Sequence, residues 1–186
     1  MTTRQHKAHT QLGRAAVRIF VANDRMNQVI IEHLDPDAWR AKPPGKARTI
    51  AAIFTHMHNV RTKWVRLTAP HLKVPSQLNR ARCTPQQAAA GLAESAARCA
   101  EMLAEALGDC GGRVEKFRRD GWARPWPVGP EMLSYMLSHE ATIARRCVCW
   151  PINSDSRCRT RWHTGSGIRK SCGKSAGSPG GPGYAS

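Results

Sequence analysis

The sequence predicts an all-α protein: an up-down four-helix bundle followed by a basic tail. Two observations carry this. Four segments place apolar residues at three- and four-residue steps, separated by links rich in proline or glycine. Strand signals are missing, with no alternating β-branched run and no Asn-Gly turn. The chain has 186 residues, enough for one domain with a real core and a tail. The expected division is a bundle domain over 1–144 and a low-complexity basic tail, without order of its own, over 145–186.

The first helix is expected over about 9–33. Leu12, Ala16, Ile19, Phe20, Asn23, Met26, Ile30 and Leu34 form its inward stripe. It stops at Leu34-Asp35-Pro36, because proline excludes the helical conformation for the residue before it. Trp39 and the Pro43-Pro44-Gly45 stretch form an extended loop. The second helix starts behind Thr49, a plausible N-cap, and runs to about Leu67. Its apolar residues are Ile50, Ile53, Phe54, Met57, Val60 and Trp64. A third helix opens at Thr84-Pro85, with threonine as N-cap and proline at the first helical position, and ends near Leu107. Leu92, Ala96, Cys99, Leu103 and Ala106 face inward, and Glu94, Arg98, Glu101 and Glu105 outward. A connection containing Val114, Phe117, Trp122 and Trp126 covers one end. The fourth helix opens near Gly129-Pro130 and carries Met132, Leu133, Tyr135, Met136, Leu137, His139, Glu140 and Ile143.

Two histidines on these helices are the candidate chemistry. His56 follows Ile53 by three and precedes Val60 by four, so it lies on or beside the buried face of the second helix. His58, about 200° further round, is expected to point more toward solvent. His139 lies on the fourth helix. In a bundle, side chains of facing helices build the site in the core. Glu94, Glu101 and Glu105 are a solvated face and offer no paired-carboxylate site. No dinucleotide, Walker or Ser-His-Asp signature is present.

The segment R-T-I-A-A-I-F-T-H-M-H-N-V-R-T-K-W over 48–64, following a P-P-G loop, and Y-M-L-S-H-E-A on the last helix resemble the DinB/YfiT-like family of metal-dependent four-helix-bundle proteins over about residues 9–141. The resemblance implies a divalent metal, zinc, nickel or similar, held by three imidazoles. The ligands would be a histidine eight residues before the helix-two aromatic and an H-x-x-x-H pair on the last helix. Carried over, the metal residues are His56 and His139, with His58 the alternative to His56. The third position is occupied by Ile143. The resemblance also implies thiol-dependent transferase chemistry with a low-molecular-weight thiol, and it allows a homodimer. With one imidazole missing, activity is expected to be weak or lost. The catalytic residues and the small-molecule substrate stay unassigned.

The formal charge of +16 is uneven. Residues 145–186 hold eight Lys and Arg against one acid, +7 in all, whereas 1–144 hold 21 against 12, or +9. Such a tail binds nucleic acid only non-specifically, through composition. Its Cys147, Cys149, Cys158, His163 and Cys172 match no zinc-module spacing. From about Thr142 the sequence diverges from the family pattern. A frame shifted at the Thr142 codon would supply His-Arg where the family has the second half of its H-x-x-x-H-R run, so the tail reads as frameshifted or divergent. Seven cysteines in no framework spacing, no apolar run long enough for a membrane and a polar N-terminus predict a cytoplasmic protein without a secretory signal. The alternative function is a non-enzymatic basic helical module, for binding or associated with stress.

Overall fold

The computed structural model describes residues 3–41, 48–107 and 114–153. Among these, four α-helices carry the architecture: α1, Thr3–Glu32; α2, Ile50–Thr68; α3, Pro85–Leu107; and α4, Pro130–Asn153. A 3₁₀ turn, Pro36–Trp39, follows α1. A two-stranded antiparallel sheet pairs β1, Lys116–Phe117, with β2, Trp126–Pro127. No strand was expected; two residues each are too few to leave a periodic signal. No helix among the described residues is long and apolar enough to cross a membrane.

The caps set the helix starts. The Thr49 hydroxyl accepts from the Ala52 N–H at 3.2 Å. At α3 the Thr84 hydroxyl accepts from the Gln87 N–H, and the Gln87 side chain accepts from the Thr84 N–H. That reciprocal box satisfies two backbone donors that helix geometry leaves open. Pro36 ends α1 as expected, but Trp39 is no loose loop residue. It is buried, stacks on Phe54 at 5.9 Å between centroids and donates its indole N–H to the Cys83 carbonyl.

Helix α1 packs mainly on α3, and α2 packs on α3 and α4. The core they enclose falls into two apolar clusters. One contains Phe20, Trp64, Cys99, Leu103, Phe117, Met132 and Met136. The other contains Ile31, Trp39, Ile50, Phe54, Met57, Leu92 and Cys147. Between them in the order of each helix stand polar residues: Asp24 and Asn27 on α1, Arg61 on α2, Ser95 on α3 and Glu140 on α4, all buried.

This polar layer corrects the expected face of α1. Ile19 and Met26, expected inside, are 51 % and 60 % exposed, whereas Asp24 and Asn27 point in. Arg61 is the cause. Its Nε and Nη2 donate to the two Glu140 oxygens at 2.6 and 2.8 Å, and its Nη1 donates to Asp24 at 2.5 Å and to the Leu92 carbonyl at 3.0 Å. Asn23 and Asn27 donate their amides to Glu140. A buried guanidinium needs carboxylates and every N–H satisfied, and α1 turns its polar stripe inward to supply them. Burial works against the Arg61 charge, but the hydrogen bond to Glu140 and the charges of Glu140 and Asp24 outweigh it and raise its pKa.

Helix α4 crosses the expected boundary at 144/145. It stays helical to Asn153, and Cys147 packs in the second cluster. Thr142 and Ile143 lie within one unbroken helix, although their composition shifts there. The expected basic tail from residue 154 onward lies outside the described residues.

Candidate functional site

Helices α2 and α4 bring His56 and His139 together. Their ring centroids are 6.0 Å apart, tilted by 54°. Each helix presents its histidine for a local reason. On α2, His56 lies one turn before the half-buried Val60 and beside the buried run Ile53, Phe54 and Met57. On α4, His139 follows the buried Met136 by three residues and precedes Ile143 by four, so it rides at the edge of that inward face. Both rings are partly buried.

Aromatic side chains enclose His139. Its ring lies 5.7 Å from Trp64 in an edge-on contact and 5.8 Å from Tyr135 in a stacked one. Tyr135 in turn meets Trp122 at 5.0 Å and Trp126 at 5.9 Å, side chains carried by the hairpin of β1 and β2. The Arg119 guanidinium lies over both the Trp122 and Tyr135 rings, 5.6 Å from each centroid.

The electrostatics of this seam are positive. The His56 pKa is lowered to about 4, first by desolvation and then by the charges of Arg48 and Arg80, His139 and Lys63. The Arg80 Nη2 stands 3.5 Å from His56 Nδ1. His139 is also lowered, by desolvation and by Arg119, with Glu140 opposing. Both rings are therefore neutral at pH 7, with lone pairs available. Burial raises the Tyr135 phenol, against the pull of Arg119.

His58 does not point to solvent. It is buried, with Nδ1 2.7 Å from the Gly91 carbonyl and Nε2 2.8 Å from the Ser76 carbonyl. Gly91 makes this possible: a Cβ there would sit 2.8 Å from Leu78 Cδ1 and 3.2 Å from His58 Nδ1. With both nitrogens engaged, His58 offers no ligand atom in place of His56.

A metal of the kind the resemblance implies can be tested against these donors. Two imidazoles sharing one ion through bonds of about 2.0–2.1 Å have centroids about 5 Å apart, and the observed pair stands at 6.0 Å. His139 Nε2 is buried without a hydrogen-bond partner, as a ligand nitrogen would be. The rest does not fit. Ile143, one turn after His139, is half-buried and packs against the second apolar cluster. Among the described residues no three His, Cys, Asp or Glu side chains converge to hold an ion. The cations around His56 oppose a further positive charge. Among the described residues the seam offers two imidazoles and no third donor.

Cys99 and Cys147 offer no nucleophile either. Burial pushes Cys147 up to about 12 and raises Cys99 as well, which keeps both as unreactive thiols at neutral pH.

Sequence reasoning missed Arg61, Asp24 and the polar atoms of Trp64 and Tyr135. Arg61 has a signal: it follows Met57 by four and precedes Trp64 by three, on the same stripe as the apolar residues. Asn23, Asp24 and Asn27 form a matching polar stripe on α1. Comparison with protein-family models, with curated proteins and with solved structures found no match to the chain.

Proposed function

We propose that the chain is a DinB/YfiT-like four-helix bundle whose metal site has been reduced to two imidazoles, so that its metal-dependent, thiol-using transferase activity is weak or lost. The observation that carries this is the pairing of His56 with His139 across the α2–α4 seam, with Ile143 at the position one turn further on. Two neutral imidazoles bind a zinc or nickel ion weakly. A third donor on the same face of α4 would complete a set with one open coordination position.

Titration of the purified protein with zinc and nickel, followed by calorimetry, tests this. The expected dissociation constant is weaker than about 10 μM. Ile143→His is expected to tighten it by about 100-fold or more, and His56→Ala in that background is expected to abolish the gain. Sub-micromolar binding by the unaltered chain that vanishes in His56→Ala would overturn the reading. So would an Ile143→His variant that binds no better.

A further inference from the structure

The hairpin of β1 and β2 presents an aromatic surface with room beside it. Trp126 is 40 % exposed, whereas Trp39 and Trp64 are buried and Trp122 is half-buried. The Trp126 ring lies 4.3 Å from that of Trp122, tilted by 33°. At that distance nothing enters between them, so the pair forms one platform with an outer side. An open hollow of about 510 Å³ adjoins it, lined by Gly121, Trp122, Ala123, Arg124 and Trp126. Gly121 turns the chain here at φ 80°, and beyond its chain neighbours nothing stands within 4 Å of where a Cβ would lie. A flat group reaching the hollow from solvent therefore meets indole without displacing anything.

The charges around the platform define what it suits. Lys116, Arg118 and Arg124 are exposed on the same hairpin. The Arg119 guanidinium rests 5.6 Å from the Trp122 and Tyr135 centroids. A guanidinium held on aromatic faces is pre-organised and keeps N–H groups for an anion. Asp120, the acid between Arg119 and Gly121, is paired with Lys63 at 2.6 Å. The other two acids of the segment, Glu115 and Glu131, stand at its ends. A neutral ring such as a sugar gains nothing from these cations, and a free phosphate gains nothing from the indoles. A base joined to phosphates uses both.

We propose that this hairpin binds single-stranded nucleic acid, one base stacking in the hollow on the outer side of the Trp122–Trp126 pair and the adjoining phosphates meeting Arg124 and Arg119. Base–aromatic stacking beside a cationic track is the physics of sequence-tolerant strand binding. A duplex keeps its bases stacked on one another and brings the platform only phosphates. The basic tail binds through charge alone, so dependence on the base separates the hairpin from the tail. The site needs no metal and does not rest on the two imidazoles.

The full-length chain is titrated in EDTA with oligothymidylate, oligouridylate and an abasic strand of equal charge. Each has about eight nucleotides, within the about 4–16 that such surfaces cover. Fluorescence anisotropy of labelled strands reads affinity, and tryptophan emission reads stacking. The base-bearing strands should bind with dissociation constants of about 1–100 μM at physiological salt. They should bind at least about fivefold tighter than the abasic strand and quench tryptophan emission. The tighter of the two tells DNA from RNA. Trp126→Ala should erase the preference for bases, and Trp126→Phe should keep most of it, both with an unchanged circular dichroism spectrum. Arg124→Gln should weaken base-bearing and abasic strands alike by about two- to fivefold, leaving the preference intact. Arg25→Gln, on the exposed side of α1, should weaken them less. Equal binding of base-bearing and abasic strands by the unaltered chain would overturn the proposal, and that comparison needs no variant to fold. So would a preference for bases that survives Trp126→Ala.

Discussion

Replacing Arg61 with methionine is the sharpest perturbation of the fold. Arg61 is fully buried and holds Glu140 and Asp24, whose side chains are 1 % and 12 % exposed. Removing the cation leaves two buried carboxylates without their counter-charge, with only the Asn23 and Asn27 amides still donating to Glu140. Breaking a buried charge pair by removing one partner costs about 3–5 kcal/mol, against a total stability of about 5–15 kcal/mol for a domain. With a urea dependence of about 2 kcal/mol/M, the midpoint should fall by about 2 M. Replacing Glu140 as well, in Arg61→Met/Glu140→Met, removes the stranded acid and substitutes apolar volume. It should cost less than the sum of the two single changes by about 2 kcal/mol or more. Urea unfolding followed by far-ultraviolet circular dichroism and tryptophan fluorescence reads both. A single-variant loss below about 1 kcal/mol, or additivity within about 0.5 kcal/mol, would refute the idea that a charged layer joins the two halves of the core.

Three further outcomes are expected. Because the folded-state His56 pKa is depressed to about 4 from 6.5, the unfolded chain binds more protons between these values. Stability is therefore full above pH 6.5 and falls as pH drops toward 4. Urea midpoints at pH 7 and pH 5 should differ less in His56→Gln than in the unaltered chain. Gly91→Ala should cost about 1–3 kcal/mol, since the new methyl group meets Leu78 and His58, and thermal unfolding measures it. On α1, Ile19→Lys should change stability by less than about 0.5 kcal/mol, whereas Phe20→Ala should cost about 3–5 kcal/mol; the reverse order would show that the helix faces are assigned wrongly.

Much of this architecture is legible in the sequence because its signals are local. Thr49 and Thr84-Pro85 mark helix starts through backbone chemistry that no distant contact overrides, and both fall where expected. The apolar step from Ile50 through Phe54 and Met57 to Trp64 places α2 correctly against the core, and with α4 it brings His56 beside His139. The failures share one cause: a hydrophobicity pattern ranks residues by type and cannot see a partner supplied from another helix. Asp24 and Asn27 turn inward because Arg61 requires them, and Ile19 and Met26 are left outside. His58 is buried because Gly91 and the chain at Ser76 offer it carbonyls from elsewhere in the fold. The shift in composition after Ala141 hides the continuation of α4 to Asn153, although Cys147 still meets the core at a helical step.

The proposed function stands on two imidazoles, carried by α2 and α4, sharing one seam. Nuclear Overhauser spectra of the chain with ¹³C-labelled histidine test this directly. Ring protons of His56 and His139 should show a mutual cross-peak, as expected for centroids 6.0 Å apart, and His139 should show a second cross-peak to Trp64. Absence of the histidine–histidine cross-peak in the folded protein, with the His139–Trp64 cross-peak present, would place His56 elsewhere and contradict the site described here.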